Sequence, residues 1–331
     1  MKVFTKGRLW PLALLIVAAS ALAVSAAIAG GSRAGAPPDK LTIAYQPGIG
    51  YTPLIIMKEQ RAIERRYPGT KVEWKVLPSG AAITNGIIAG DIQIGAGGVG
   101  PMLVGWARGV NWKFLAPMNE GDLWLMAKDP NIRTIADLRG KRIAMPSPTS
   151  IQAMVLRKMA QVKLGNAKAL DRGIVSMDHP DALQALLSGQ IDAHLTSPPF
   201  QFQEKGRGAH VVARSYNYFG AHSFLGVMAT QKFYDDHIDF ARWFYKEIAK
   251  SIVLIKKKPD TVARILSKDA GGNPSSKQFK GWITNKALSY TTRPRGLMRF
   301  ASFMNQIGQI NKMPRSWKEL VFPPVYATKG S

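Results

Sequence analysis

Two stretches decide the fold: "NGIIAGDIQIGAGGVGP" at 85–101 and "QALLSGQIDAHLTSPP" at 184–199. They share one plan. An apolar helix stops at a glycine, Gly90 or Gly189, where glycine suits a left-handed C-terminal cap. A short strand, "DIQI" or "QIDA", follows at once. A loop then ends in proline, near the start of the next helix, where proline is tolerated. One unit repeated in each half of the chain predicts two similar α/β lobes.

The surrounding sequence has the same rhythm. Short β-type runs fall at 41–45, 71–77, 91–96, 111–118, 122–128, 141–146, 173–177, 191–195, 210–215 and 223–230. Helical patterns come between them, at about 52–66, 81–89, 101–108, 151–161 and 180–187. This alternation predicts an α/β fold with mostly parallel sheet. From 231 onward the pattern is helical. Ala241, Phe244, Tyr245, Ile248, Ile252 and Ile255 fall on one helix face and read as packing.

Residues 1–29 read as a secretory signal. "MKVFTKGR" is basic, a charge-free run follows from Leu9 to Gly30, and small residues suited to signal peptidase end it. The alternative is an uncleaved anchor, since about 20 apolar residues span a bilayer. In either case the remainder lies outside the cytoplasm, and the periplasm is the expected location. Residues 30–39, "GGSRAGAPPD", read as a flexible leader.

Composition narrows the chemistry. The 331 residues contain no cysteine, which excludes disulfides, thiolate metal sites and a cysteine nucleophile. The five histidines show no helical ligand spacing and there is no HExxH, so no metal or other cofactor is expected. There is no GxSxG elbow either. Removing Lys2, Lys6 and Arg8 takes the formal charge from +24 to +21. Such a field attracts anions. Export and the scattered placement of the basic residues argue against nucleic acid. The one tight run, Lys256 to Lys258, reads as a solvated helix end.

The glycine-rich loop carries three readings. Without GK[ST] it is not a phosphate-binding P-loop. Gly95, Gly97 and Gly100 fit G-x-G-x-x-G, with Glu120 twenty residues beyond Gly100, as in a dinucleotide fingerprint. Against that, the match starts inside a strand, the following helix is short, and an exported protein has little access to such cofactors. The third reading takes the loop as one of several strand ends that lead into helix starts. The others are 45–52, 77–81, 145–152, 176–181 and 196–200. Helix N-termini offer free N–H groups to an anion, and Ser and Thr add donors. Two lobes would bring two such rims to one cleft.

At this point the chain resembles a family: the periplasmic substrate-binding proteins of ABC importers, of the nitrate/sulfonate/taurine type. The resembling stretches are "LTIAYQPGIGYTPLIIMKEQRAIE", "VEWKVLPSGAAITNGIIAGDIQIGAGGVGPMLVGWARG", "IRTIADLRGKRIAMPSPTSIQAMVLRKM" and "DALQALLSGQIDAHLTSPPFQFQEKGRG". The resemblance implies a two-lobed, type II-like fold with a ligand cleft between lobes joined by two crossovers. Lobe 1 would comprise 40–128 and 216–331, and lobe 2 would comprise 129–215.

The resemblance also implies a function and a site. A small, anionic solute would be bound by hinge closure and passed to a membrane permease, by a monomer that is not an enzyme. Ligand contacts fall on Gln46, Pro47, Ser79, Gly80, Gly98, Val99, Ser147, Thr149, Ser150, Asp178 and Ser197. Tyr216 or His222, at the second crossover, would reach the cleft, with Trp124 or Tyr216 as an aromatic wall. The second-lobe loop is "SPTS" followed by Gln152, where many relatives have a glycine-serine loop with a nearby histidine. No cleft arginine is identifiable. The alternatives are a receptor for a neutral heterocycle such as a thiamin pyrimidine precursor, and an enzyme on the same fold.

Overall fold

The computed structural model describes residues 35–331, so the signal sequence lies outside the described residues. In chain order the strands are β1 (Lys40–Tyr45), β2 (Lys71–Val76), β3 (Ile94–Gly98), β4 (Trp112–Gly121), β5 (Trp124–Ala127) and β6 (Ile143–Met145). They continue with β7 (Ile174–Ser176), β8 (Ala193–Leu195), β9 (His210–Arg214), β10 (Ser223–Thr230) and β11 (Leu288–Tyr290). Two sheets result, with orders β11-β4-β10-β3-β1-β2 and β7-β6-β8-β5-β9. These are the two lobes.

The sheets are mixed rather than mostly parallel. β1 pairs parallel with β2 and β3, and β6 with β7 and β8. β4, β5, β9, β10 and β11 all join by antiparallel pairing. The reason lies in the connections. A strand that enters a sheet from the other lobe need not follow a βαβ crossover, so it is free to run backwards. β5 belongs to the second sheet, so the chain changes sheets between Gly121 and Trp124, ahead of the boundary expected at 128. It returns between Arg214 and Ser223.

The repeated unit folds as the sequence predicts. The helices Gly80–Ala89 and His179–Ser188 end in left-handed glycines, Gly90 at φ 84° and Gly189 at φ 80°. The glycine loop differs from expectation. β3 runs through Gly98, and a helix, Val99–Ala107, begins at the next residue. A Cβ on Gly95 would lie 2.5 Å from Ile83 and 2.6 Å from Ile87. That glycine therefore admits the helix Gly80–Ala89 onto the strand and cradles no phosphate.

The helix Ile238–Lys257 buries Phe240, Ala241, Phe244, Ile248, Ile252 and Ile255, while Tyr245 is half-buried and Lys256–Lys258 stay exposed. A buried Phe-to-Ala change on this face costs about 3–5 kcal/mol. β11 falls in a region expected to be wholly helical; at three residues it is too short to show a period. Gly35 and Ala36, expected in a free leader, hydrogen-bond to the Asp236 carbonyl and to His237 at 3.2 and 2.7 Å.

The two crossovers are laced together at Asp122. Its carboxylate accepts from the Trp124 indole at 3.1 Å and from the Tyr216 backbone N–H at 3.1 Å. The Ser215 hydroxyl lies 3.4 Å from the same carboxylate and accepts from Leu123 N–H at 2.9 Å. Gln201 donates to the Asp122 carbonyl at 3.1 Å, and the Asp122 N–H donates to Ala287. Burial pushes the Asp122 carboxyl up, and these hydrogen bonds pull it back toward the ionised form.

Asp122→Ala leaves the Trp124 indole and the Tyr216 N–H buried without an acceptor. The expected loss is about 2–4 kcal/mol, read from urea unfolding followed by tryptophan fluorescence. Unchanged stability would show that the crossovers are held by other contacts.

Candidate functional site

The cleft lies where helix starts from both lobes meet. Lobe 1 contributes the starts of Gly80–Ala89 and Val99–Ala107, and lobe 2 those of Ile151–Leu164 and His179–Ser188. Gly80, Gly98, Ser150, Ile151 and His179 line the space. Three of the starts carry side-chain caps: Ser79 accepts from Ala82 at 3.2 Å, Ser150 from Ala153 at 3.2 Å, and Asp178 from Asp181 at 3.0 Å. The fourth, at Gly98, has no side-chain cap. The converging positive ends favour a negative group.

Of the residues expected at the ligand, Gln46, Pro47, Gly80, Gly98, Ser150 and Ser197 line the cleft together. Ser79 and Asp178 stand one residue behind it as caps. Val99 is the buried first residue of its helix. Ser147 and Thr149 face each other at 3.2 Å between hydroxyl oxygens, and Ser150 donates to the Ser147 carbonyl at 2.7 Å, which holds the "SPTS" turn in shape.

Tyr216 and His222 stand outside this lining, in the second crossover. Their rings meet edge to face at 5.3 Å. His222 is fully buried between the Ser215 hydroxyl at 2.9 Å and the Ser223 carbonyl at 3.0 Å, and burial lowers its pKa to about 4. Trp124 packs on Phe202 inside the second lobe.

The structure adds lining residues that spacing alone did not reveal. Tyr51 is fixed by Gln46, whose amide donates to the phenol oxygen at 2.7 Å; burial keeps the phenol neutral. Asn119 secures the same loop by donating to the Gly50 carbonyl at 2.7 Å. Phe224 and Leu225 come from β10, one residue after the second crossover ends. Gln152 and His179 complete the second-lobe wall. His179 was signalled only by its place at a helix start, where the cap Asp178 drew attention instead.

The lobes touch across the cleft backbone to backbone. A Cβ built on Gly100 would lie 2.9 Å from Ile151 N and 3.0 Å from both Ser150 C and Thr149 O. These are second-lobe main-chain atoms with no freedom to move aside. The space between these helix starts is narrow, about 20 Å³, room for about one water molecule. Anything larger seated there would require the lobes to part. Beside it, and sharing Gln46, Pro47 and Gly48, lies an apolar cavity of about 310 Å³ lined by Tyr45, Val76, Phe200, Phe279 and Trp282.

Behind the second-lobe wall runs a row of buried polar groups. His179 meets His194 at 2.9 Å, and His194 meets Glu204 at 2.5 Å. Burial raises the Glu204 carboxyl to about 9 and lowers His194 to about 3. Burial thus favours the neutral form of the pair, with the proton on Glu204. Among the described residues, no group of His, Asp and Glu has the arrangement of a metal site. None of their helices is long and apolar enough to cross a membrane.

These features define a two-lobed α/β solute-binding fold. The chain belongs to the NMT1-like family, whose sequence profile matches residues 34–266. The taurine-binding periplasmic protein of Escherichia coli (strain K12) is 24% identical over 299 residues, covering 85% of this chain and 91% of the relative. A second protein of that organism, whose name assigns it to aliphatic sulfonates, is 29% identical over 167 residues; the match spans 49% of this chain and 50% of that relative.

Among solved structures, the alkanesulfonate-binding protein SsuA from Xanthomonas axonopodis pv. citri, bound to MOPS, superposes with a TM-score of 0.69 at 19% identity, over 90% of this chain and 100% of that one. The nitrate-binding protein NrtA from Synechocystis PCC 6803 gives 0.71 at 11% identity, over 88% of each. These relatives are binding proteins, not enzymes.

Two outcomes follow. Gly100→Ala puts a methyl group against the second-lobe backbone and holds the lobes apart. Small-angle scattering should show a larger radius of gyration than wild type, with the unfolding midpoint nearly unchanged; equal radii would sink the contact's role. The second concerns pH. The native state holds the Glu204 proton up to about pH 9, whereas an unfolded Glu releases it near 4.5. The stability this contributes is full below about 4.5 and is lost as pH rises through 9. His194 acts only below about 6.5. From pH 6.5 to 9, Glu204→Gln should therefore lose less thermal stability than wild type; parallel curves would refute the buried acid.

Proposed function

We propose that the protein is the extracytoplasmic solute-binding component of an ABC importer. It captures a small organic anion, of the sulfonate or related organic-acid class, between its lobes and delivers it to a membrane permease. It works in the periplasm as a monomer. The observation that carries this reading is the convergence of four helix starts, two from each lobe, on one cleft supplied with neutral donors. An anion seated there contacts both lobes at once. Its binding energy is then available only when they are closed, so it shifts the population toward the closed form.

The relatives that bind taurine and those assigned to sulfonates support the class of solute. The apolar cavity beside the cleft favours an organic anion over nitrate. At about 310 Å³ it falls at the lower end of the roughly 300–1,000 Å³ seen for small-molecule sites. The acidic head would sit at Gln46, Ser150, Gln152 and Ser197, and the body would extend toward Phe200 and Trp282.

The test is thermal. The mature protein is melted with taurine, alkanesulfonates of increasing length, nitrate, aromatic carboxylates and a pyrimidine precursor. A ligand at 100 times its Kd adds about 2.7 kcal/mol, a shift of several degrees. An alkanesulfonate or aromatic carboxylate is expected to give that shift and nitrate a smaller one. A response to the pyrimidine alone would overturn the anionic reading.

A further inference from the structure

The described residues that line the cleft include no lysine or arginine, and the ionisable ones are Tyr51 and His179. Tyr51 stays neutral. Whatever charge an anion meets from a lining side chain must come through His179. Behind that ring the hydrogen bonds form a single file. Gln152 Nε2 lies 3.0 Å from His179 Nε2, His179 Nδ1 lies 2.9 Å from His194 Nε2, and His194 Nδ1 lies 2.5 Å from Glu204 Oε1. His194 and Glu204 have no solvent exposure, and Phe200 stacks on His179 at 5.5 Å to hold its plane. The second carboxyl oxygen of Glu204 is buried without a partner.

Each imidazole is bonded through both nitrogens, and a neutral imidazole has one donor and one acceptor. The file therefore runs in one of two directions. With Glu204 ionised, the Gln152 amide donates to His179 Nε2, His179 Nδ1–H to His194 Nε2, and His194 Nδ1–H to the carboxylate. One added proton reverses every bond. Glu204 O–H then donates to His194 Nδ1, His194 Nε2–H to His179 Nδ1, and His179 Nε2–H to the Gln152 oxygen. The amide turns over, and both its N–H groups become available to the cleft. The charge of the file rises from −1 to 0.

We propose that Glu204, His194 and His179 form a buried proton relay that sets Gln152 as a hydrogen-bond donor to the bound anion, so that solute binding and protonation of Glu204 are coupled. This rests on the anionic-solute reading above. Glu204 is a positioning residue, acting on the solute through two rings and an amide. Burial raises Glu204 and lowers both histidines, which favours the neutral, outward direction; the Gln152 amide, whose nitrogen lies against His179 here, turns over to present its oxygen in that state.

Other charged and titratable groups lie on the elements packed around the file. Asp178 caps its own helix, and Asp181 donates its N–H to that cap. Lys205 and Arg214 lie over the Trp124 ring. Arg157 pairs with Asp171, Lys158 lies over Phe303, and His210 bonds to the Ile132 carbonyl.

The experiment titrates butanesulfonate, which stays ionised throughout, into the protein at pH 7 to 10, by calorimetry in two buffers of different ionisation heat. Wild type should weaken by up to tenfold per pH unit above about 9, with up to one proton taken up per anion bound. Glu204→Gln, whose amide N–H replaces the acid O–H, should bind with a flat pH profile. Glu204→Leu, which offers His194 no donor, should bind weakly at every pH. Without ligand, the ¹⁵N shifts of His179 and His194 should exchange Nδ1 and Nε2 protonation between pH 8 and 10 in wild type and not in Glu204→Gln. Equal pH profiles for wild type and Glu204→Gln, or one fixed tautomer at His179, would overturn the relay. If butanesulfonate binds at no pH, the functional reading loses its solute, while the nitrogen shifts still decide the relay.

Discussion

The molecule depends on one buried carboxylate. Asp122 sits where the chain first leaves its opening sheet, and it accepts the Tyr216 N–H near the start of the segment that comes back. Both crossovers are thereby fixed to each other before either lobe is considered. Each lobe's helix starts are aimed by its own strands, but the aim of one set at the other passes through these few residues. A charge at that depth is tolerable because every contact to it is a donor. The neighbouring chain is continuous with the binding wall: Ser223 closes the crossover, and Phe224 and Leu225 already face the cleft. A rotation at the crossover reaches the cleft lining one residue later.

Much of the architecture was legible because it rests on local rules. The two glycine-capped units read as repeats from sequence and fold as repeats, with the same left-handed caps. The strand–helix alternation gave the class of fold. The sheet directions were not legible, because nothing within β5 or β10 records which lobe the preceding residue came from. The glycines at 95–100 imitate a nucleotide fingerprint for a related reason. A fingerprint spacing records where glycines are needed, and packing of Ile83 and Ile87 on a strand needs them as much as a phosphate would.

The site was legible in outline and not in its second layer. Gln46, Gly80, Gly98, Ser150 and Ser197 stand at strand ends and helix starts that sequence marks, and the fold brings them to one cleft. His179 and His194 stand fifteen residues apart, on a helix start and the strand that follows it, at no period a search for metal or catalytic pairs would register. Glu204 reads as one more polar residue on a surface helix until the fold buries it. Tyr216 and His222 were placed at the ligand because crossover residues often lie near a cleft; here they serve the crossover itself. The formal charge of +24 misdirects in the same way. A basic field attracts anions, yet among the described residues the cleft lining includes no lysine or arginine.

The absence of one methyl group at Gly100 has a consequence for selectivity. The main chains of the two lobes meet there, so closure ends at a stop that belongs to the protein and not to the solute. A side chain at that point would yield by changing rotamer and let the gap adapt. Two backbones do not yield. Under the proposed function the cleft is then a gauge of fixed width: a solute too thick would hold the jaws off their stop, one too thin would leave donors unfilled, and a permease would be presented with a single outline whenever the gauge reads full.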